Sequence, residues 1–283
     1  MKPRVMSLVL FTCMVGLIIA PNNVSYLNSV LSLIAVALGA GAAGTLNMWY
    51  ESDLDALMTR TCLRPIPTGQ VTKNQALFFG ISLSIGSISL LYYSSNLMSA
   101  SLLLLTICFY FFIYTVWLKR RTPQNIVIGG AAGALPPVIG WTIATGSLTI
   151  EPFILFLIIF LWTPSHFWAL SIYKSNDYKK AKIPMLPIIY GIEKTKKNIF
   201  IYSLLMLPTI SAPYFISFLS EIYFYPALAL TIYYTYLCGT LLKVKKSTEV
   251  NTLARKIFLY SIFYLFIIFL LILSDHFFTR FYG

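Results

Sequence analysis

Residues 26–65 read YLNSVLSLIAVALGAGAAGTLNMWYESDLDALMTRTCLRP. Positions 26–46 carry no charge and, at about 1.5 Å rise per residue, are long enough to cross a hydrocarbon core about 30 Å thick as a helix. Just beyond them stand three carboxylates, Glu51, Asp53 and Asp55, followed by Arg60 and Arg64. The acids are conspicuous because 58% of the chain is hydrophobic and only 11% is charged.

Working outward, the same apolar character fills the rest of the 283 residues, with 21 Phe and 19 Tyr, and excludes a soluble domain. We read an all-α polytopic membrane protein, a single domain over 1–283, with nine spans at 5–20, 26–46, 75–93, 97–117, 125–145, 151–172, 198–218, 223–242 and 257–277. A cytoplasmic N-terminus puts every Lys and Arg except Arg280 on the inner side. That asymmetry sets the orientation, and it also accounts for the net charge of +12 through topology and lipid headgroups without nucleic acid. The first span lacks a small-x-small cleavage site and is expected to remain uncleaved. Cys13, Cys62, Cys108 and Cys238 show no CxxC spacing, so neither a disulfide framework nor a zinc site is implied.

Asn47, Glu51 and Asp55 are four residues apart, so a helix continuing past Asn47 stacks them on one face with a drift of about 40° per step. Asp53 points roughly the other way, toward the face that carries Arg60, and reads as a partner for that arginine. Pro65 and Pro67 end any helix near Leu63. Carboxylates at i and i+4 repel, more so in a low dielectric, and a hard divalent cation such as Mg²⁺ would relieve them. Mg²⁺ takes one or two carboxylates and completes its shell with water and substrate phosphate, for which Arg60, Arg64 and Lys73 lie at hand. The plainer alternative is a solvated interfacial loop with its acids paired to arginines.

Two further polar segments enter the same side. WTPSHFWALSIYKSNDYKKAKIPMLP at 162–187 holds Asp177 among Lys174, Lys179, Lys180 and Lys182, with His166 in the preceding helix. KRRTPQN at 119–125 adds Lys119, Arg120, Arg121, Gln124 and Asn125. Each basic loop alone reads as topological. Acids and three polar loops at one face suggest an anionic, metal-bound substrate whose apolar tail enters from the bilayer.

The run Asn47, Glu51, Asp53, Asp55, Met58, Arg60, Thr61, Arg64, Pro65 resembles the first acidic motif of the UbiA-type intramembrane prenyltransferases. The blocks YTVWLKRRTPQNIVIGGAAGALPPVIGW at 114–141 and PSHFWALSIYKSNDYKKAKIPMLP at 164–187 resemble the heme-modifying branch of that family. The resemblance implies a helical bundle around a central cavity, Mg²⁺ as cofactor, and farnesyl diphosphate and protoheme IX as substrates, with membrane lipid around them and a heme A synthase downstream. It assigns Asn47, Glu51 and Asp55 to the first metal and diphosphate site and Asp177 to the second, with Arg60, Arg64, Arg121 and Lys174 as diphosphate contacts; a heme contact at His166 and a structural role for it are both left open. It implies a bacterial inner-membrane location with the site on the cytoplasmic side.

The family's usual second motif, DxxxD, is incomplete, because the position four after Asp177 is Ala181. One carboxylate serves there, with Tyr178 or Asn176 to assist it. GGAAG at 129–133 is expected to allow close helix approach, and Pro136 with Pro137 to kink their helix. Two other readings stay open: a related enzyme acting on an aromatic acid or other ring acceptor, and a transporter.

Overall fold

The computed structural model describes residues 3–59 and 61–282. Its described residues form helices and turns without strands, as an apolar chain in lipid requires, because backbone polar groups there must be satisfied within each segment. The helices are α1 (Pro3–Ile18), α2 (Tyr26–Tyr50), α3 (Ser52–Leu57), α4 (Lys73–Ser94), α5 (Leu97–Cys108), α6 (Asn125–Ala134), α7 (Pro136–Thr145), α8 (Ile150–Tyr173), α9 (Ser175–Lys180), α10 (Leu186–Ile189), α11 (Gly191–Phe215), α12 (Glu221–Lys243) and α13 (Ser247–Tyr282). α5 runs on as a π-helix over Phe109–Leu118.

Among the described residues seven spans are long and apolar enough to cross a membrane: α2, α4, α5 with its π continuation, α6 with α7, α8, α11 and α13. Met6–Ile18 is apolar but shorter. α12 has 23 residues, long enough to cross, but its five tyrosines and Pro226 dilute its mean hydropathy. The expected nine spans therefore comprise seven that meet length and composition and two, α1 and α12, that fall short of one or the other.

Helix starts follow local chemistry. The Ser25 hydroxyl accepts the Asn28 amide, Thr72 and Gln75 form a capping box, and Asn96 accepts the Ser99 amide. The expected kink at Pro136 is a full break: α6 ends at Ala134 and α7 begins with Pro136. GGAAG serves the packing in one place, since a Cβ on Gly129 would meet the Tyr114 ring at 2.1 Å while one on Gly133 would meet nothing. The closest backbone approach is elsewhere. A Cβ on Gly16 would lie 2.1 Å from the Pro137 carbonyl oxygen, and one on Gly140 1.9 Å from that of Cys13, so glycine on both helices lets α1 and α7 touch.

Two compact units emerge, Met1–Leu148 with Asn176–Ile183, and Thr149–Ser175 with Pro184–Gly283. In the first, Cys13, Leu17, Val36, Leu91, Leu103 and Ile139 belong to one buried core. In the second, buried hydroxyls pair across helices: Ser165 with Tyr234 at 2.8 Å and Thr231 with Tyr264 at 2.9 Å. Two charged groups fasten its helix ends. Asp275, 1% exposed, accepts the Ser220 and Tyr223 amides at 3.1 Å and the Ser220 hydroxyl, capping the start of α12. Lys196, also 1% exposed, donates to Glu193 at 2.7 Å and to the Val244 carbonyl at 2.6 Å, where a cation complements the α12 C-terminus.

Candidate active site

α2 carries the first acids to the end of its span and then bends. Glu51 leaves helical geometry (φ −98°, ψ 14°), yet its amide still donates to the Asn47 carbonyl at 3.0 Å. Its own carbonyl accepts the Asp55 amide at 2.8 Å, so the i,i+4 stacking continues across the bend into α3. Asn47, Glu51 and Asp55 are all buried, at 0%, 1% and 3% exposure. Solvation by water, the basis of the plain-loop reading, is thereby lost to them.

Glu51 and Asp55 each have their own cation. Arg64 donates to both oxygens of Asp55, at 2.8 and 2.7 Å. Lys119 donates to Glu51 Oε2 at 2.5 Å, and the Asn47 amide donates to the same oxygen at 2.9 Å. The Asn47 amide also reaches the Thr115 hydroxyl at 3.1 Å. Thr115 in turn donates to the Tyr110 carbonyl five residues back, and the Lys119 amide donates to the Tyr114 carbonyl, again five back. The π-helix is thus the element that presents Thr115 and Lys119 to the acids, in keeping with the tendency of such segments to fall at functional positions.

Asp53 is paired differently from the expectation. Its carboxylate accepts both Arg120 nitrogens, at 3.0 and 2.9 Å, while Arg120 lies over the Tyr50 ring. Arg60, the expected partner and a diphosphate candidate, lies outside the described residues. Partial burial acts to raise the Asp53 carboxyl, but the hydrogen bond and charge of Arg120 prevail and hold it below its usual value. Of the other expected contacts, Arg121 and Lys174 are exposed and make no ion pair among the described residues; the Lys174 ammonium stands over the Tyr173 ring. Sequence reasoning named Lys119 only as one charge in a basic run. Its pairing with Glu51, 68 positions away, had no local signal.

The second acidic position joins the first motif. Asp177 in the short helix α9 is 9% exposed and accepts the Thr59 hydroxyl at 2.7 Å. Tyr178 beside it is buried and Asn176 exposed. His166 is buried in the second unit, stacked between Trp162 and Phe258 at centroid distances of 4.3 and 4.7 Å, with Nδ1 at 2.6 Å from the Ser261 hydroxyl. The same hydroxyl lies 2.7 Å from the Phe258 carbonyl, and its hydrogen bond with Nδ1 ties His166 to α13.

The donor set suits a hard cation. Glu51 Oε1 is buried without a hydrogen-bond partner, so one oxygen of this carboxylate has coordination capacity unused by the protein. Among the described residues no three His, Cys, Asp or Glu side chains converge as one metal cluster. Each motif therefore offers one or two carboxylates, the number Mg²⁺ uses when substrate phosphate and water fill its shell.

The profile of the UbiA prenyltransferase family matches residues 9–274. The chain is 66% identical over 275 residues to a protoheme IX farnesyltransferase of Pelagibacter ubique, covering 97% of this chain and 91% of the relative. It is 49% identical over 275 residues to the protoheme IX farnesyltransferase of Parvibaculum lavamentivorans, covering 97% and 86%. In fold it is similar to a digeranylgeranylglyceryl phosphate synthase, with a TM-score of 0.79 at 20% identity over 95% of this chain and 92% of that one. It is also similar to a UbiA homologue from Archaeoglobus fulgidus bound to DMAPP and Mg²⁺, with a TM-score of 0.69 at 17% identity over 93% and 96%. This chain belongs to the UbiA prenyltransferase family, integral membrane enzymes that transfer prenyl groups.

Proposed function

We propose that the chain transfers the farnesyl group of farnesyl diphosphate to a vinyl carbon of protoheme IX, with addition of water, giving heme O and diphosphate. The observation that carries this reading is the pair of buried carboxylates, Glu51 and Asp55, each matched to a mobile-armed cation at the end of an apolar span. The relatives named protoheme IX farnesyltransferase, at 66% and 49% identity over nearly the full chain, supply the acceptor.

In this reaction the farnesyl C1–oxygen bond breaks with its electron pair going to diphosphate. C1 bonds to the vinyl carbon, and the adjacent cationic carbon takes a water oxygen, which sheds a proton. Mg²⁺, when bound, would neutralise the diphosphate charge and assist its departure. Asn47, Glu51 and Asp55 would hold one ion and Asp177 a second. Arg64 and Lys119 are then free to turn from the carboxylates to the diphosphate oxygens, where fixed positive charge stabilises the departing group. Arg60, Arg121 and Lys174 are further candidates for that role. The apolar spans keep water from the allylic cation until the acceptor captures it. His166, its Nδ1 bound to Ser261, is the candidate heme contact through Nε2.

Because the family profile spans residues of both compact units, we take 1–283 as one catalytic domain. The site is assigned to the cytoplasmic face of a bacterial inner membrane on the positive-inside asymmetry, with a heme A synthase as the consumer of the product. The test is product analysis by chromatography and mass spectrometry. Membranes holding the protein are incubated with protoheme IX, farnesyl diphosphate and Mg²⁺. Hydroxyethylfarnesyl heme is expected in the intact sample and absent after chelation; folded protein that yields none would overturn the assignment.

A further inference from the structure

We propose that Gly44 lines the seat of the farnesyl chain, the absence of its side chain leaving room for the apolar tail below the acids; this rests on the reading of the chain as a farnesyl diphosphate transferase. Gly44 lies inside α2, six residues before its end, where glycine is a poor helix former and needs a reason. Packing is the usual one, and it explains its neighbours. A Cβ on Gly39 would meet Leu103 Cδ1 at 2.7 Å, and one on Gly80, in α4, would meet Leu46 Cδ2 at 2.7 Å. Gly44 is different: it is buried, yet beyond its chain neighbours and the adjoining backbone of α2 a Cβ there would meet no atom of the described residues within 4 Å. Among the described residues no side chain fills that space.

The direction of that space is set by helix geometry. Gly44 precedes Asn47 by three residues and Glu51 by seven, which puts all three within about 60° on one face of α2 and Gly44 about 10 Å deeper in the span than Glu51. The face continues inward as Ala40 and Ala37. At its head Glu51, 1% exposed, keeps Oε1 without a partner, an independent mark of a ligand at that end. A molecule with a charged head at Glu51 and a slender apolar tail along α2 fits this face, and a prenyl diphosphate has that form.

The test compares prenyl diphosphates of one, two and three isoprene units by the thermal stabilisation they give the purified full chain in detergent with Mg²⁺. A five-carbon tail is too short to span about 10 Å from the acids, whereas farnesyl passes Gly44. Gly44→Val is expected to weaken farnesyl diphosphate about tenfold or more and geranyl diphosphate less, while dimethylallyl diphosphate is unchanged. Gly44→Ala is expected to melt, unliganded, at or above the parent, and still to bind farnesyl diphosphate more weakly, a combination that a packing glycine would not give. It also carries the comparison should Gly44→Val fold poorly. Equal weakening of all three diphosphates, or unaltered farnesyl affinity in both variants, overturns the inference. If no prenyl diphosphate stabilises the unmodified chain, the transferase reading itself fails, a result distinct from either.

Discussion

At the residue scale, the acids differ in what they touch, and their substitutions should differ accordingly. Asp55 and Asp177 are buried, whereas the Asp53 side chain is 56% exposed and bound to Arg120. Asp55→Asn and Asp177→Asn should each reduce heme O formation by at least about a hundredfold at normal membrane abundance, as loss of a transition-state electrostatic group does. Asp53→Asn should retain most activity. Its effect belongs to acid stability instead: a carboxyl lowered by its partner stabilises the fold above its unfolded value, and that contribution disappears as pH falls through the lowered one. Asp53→Asn should therefore flatten only the acid limb of a melting-temperature profile. Lys119 gives a second prediction. Lys119→Met leaves the Glu51 charge buried and unpaired, which should cost about 3 kcal/mol of stability, and Mg²⁺ should restore more of the melting temperature in this variant than in the parent. Glu51→Gln added to Lys119→Met should recover stability without metal. The spacing of Asn47, Glu51 and Asp55 made their common face legible in the sequence. Their partners were not legible, because a salt bridge spanning 68 positions depends on how helices pack, which local spacing does not encode.

At the scale of elements, the π-helix decides the site. In FYFFIYTVWL every residue but Thr115 is apolar or aromatic, so no hydrophobic stripe distinguishes a 3.6-residue turn from a wider one, and the sequence gives no sign of the change. The wider turn shows at its end, where the Lys119 amide reaches back five residues to the Tyr114 carbonyl, and the Thr115 hydroxyl likewise bonds the Tyr110 carbonyl. Thr115 ties this segment to Asn47, and Thr115→Val should leave the buried amide short of an acceptor. We expect a stability loss of about 1–2 kcal/mol and a raised KM for farnesyl diphosphate, both largely spared by Thr115→Ser, measured by melting and by initial rates. A disturbance at Pro136, by contrast, was plain in the sequence as a kink, because proline in mid-helix removes a donor and clashes with the preceding turn; that it ends one helix and starts another was not.

At the scale of the molecule, the question with most consequence is whether α12 crosses the membrane. Both seven and nine crossings put the two chain ends on opposite sides, so the location of the termini does not separate them. The segments flanking α12 do: residue 217 precedes it and residue 245 follows it. The physical case for crossing is that α12 is anchored at both ends by buried charges that would be costly in lipid. Asp275 on α13 caps its start and Lys196 on α11 holds the carbonyl of Val244, just past its end. Its tyrosines, counted against it by hydropathy, are partly spent inside: Tyr223 and Tyr234 are 0% exposed and hydrogen-bonded to Ile210 and Ser165. A polar count taken from sequence cannot see those bonds, which is why this span is legible as a helix and marginal as a crossing. With the four native cysteines replaced, single cysteines at Ser217 and Lys245 should react with a membrane-impermeant maleimide from opposite sides. Ser217→Cys should label in intact cells or spheroplasts, and Lys245→Cys only after the membrane is opened. Labelling of both from one side would remove α12 from the crossings, and with it the nine-span topology that puts the acids of α2 and the lysines beyond α12 on the same cytoplasmic face.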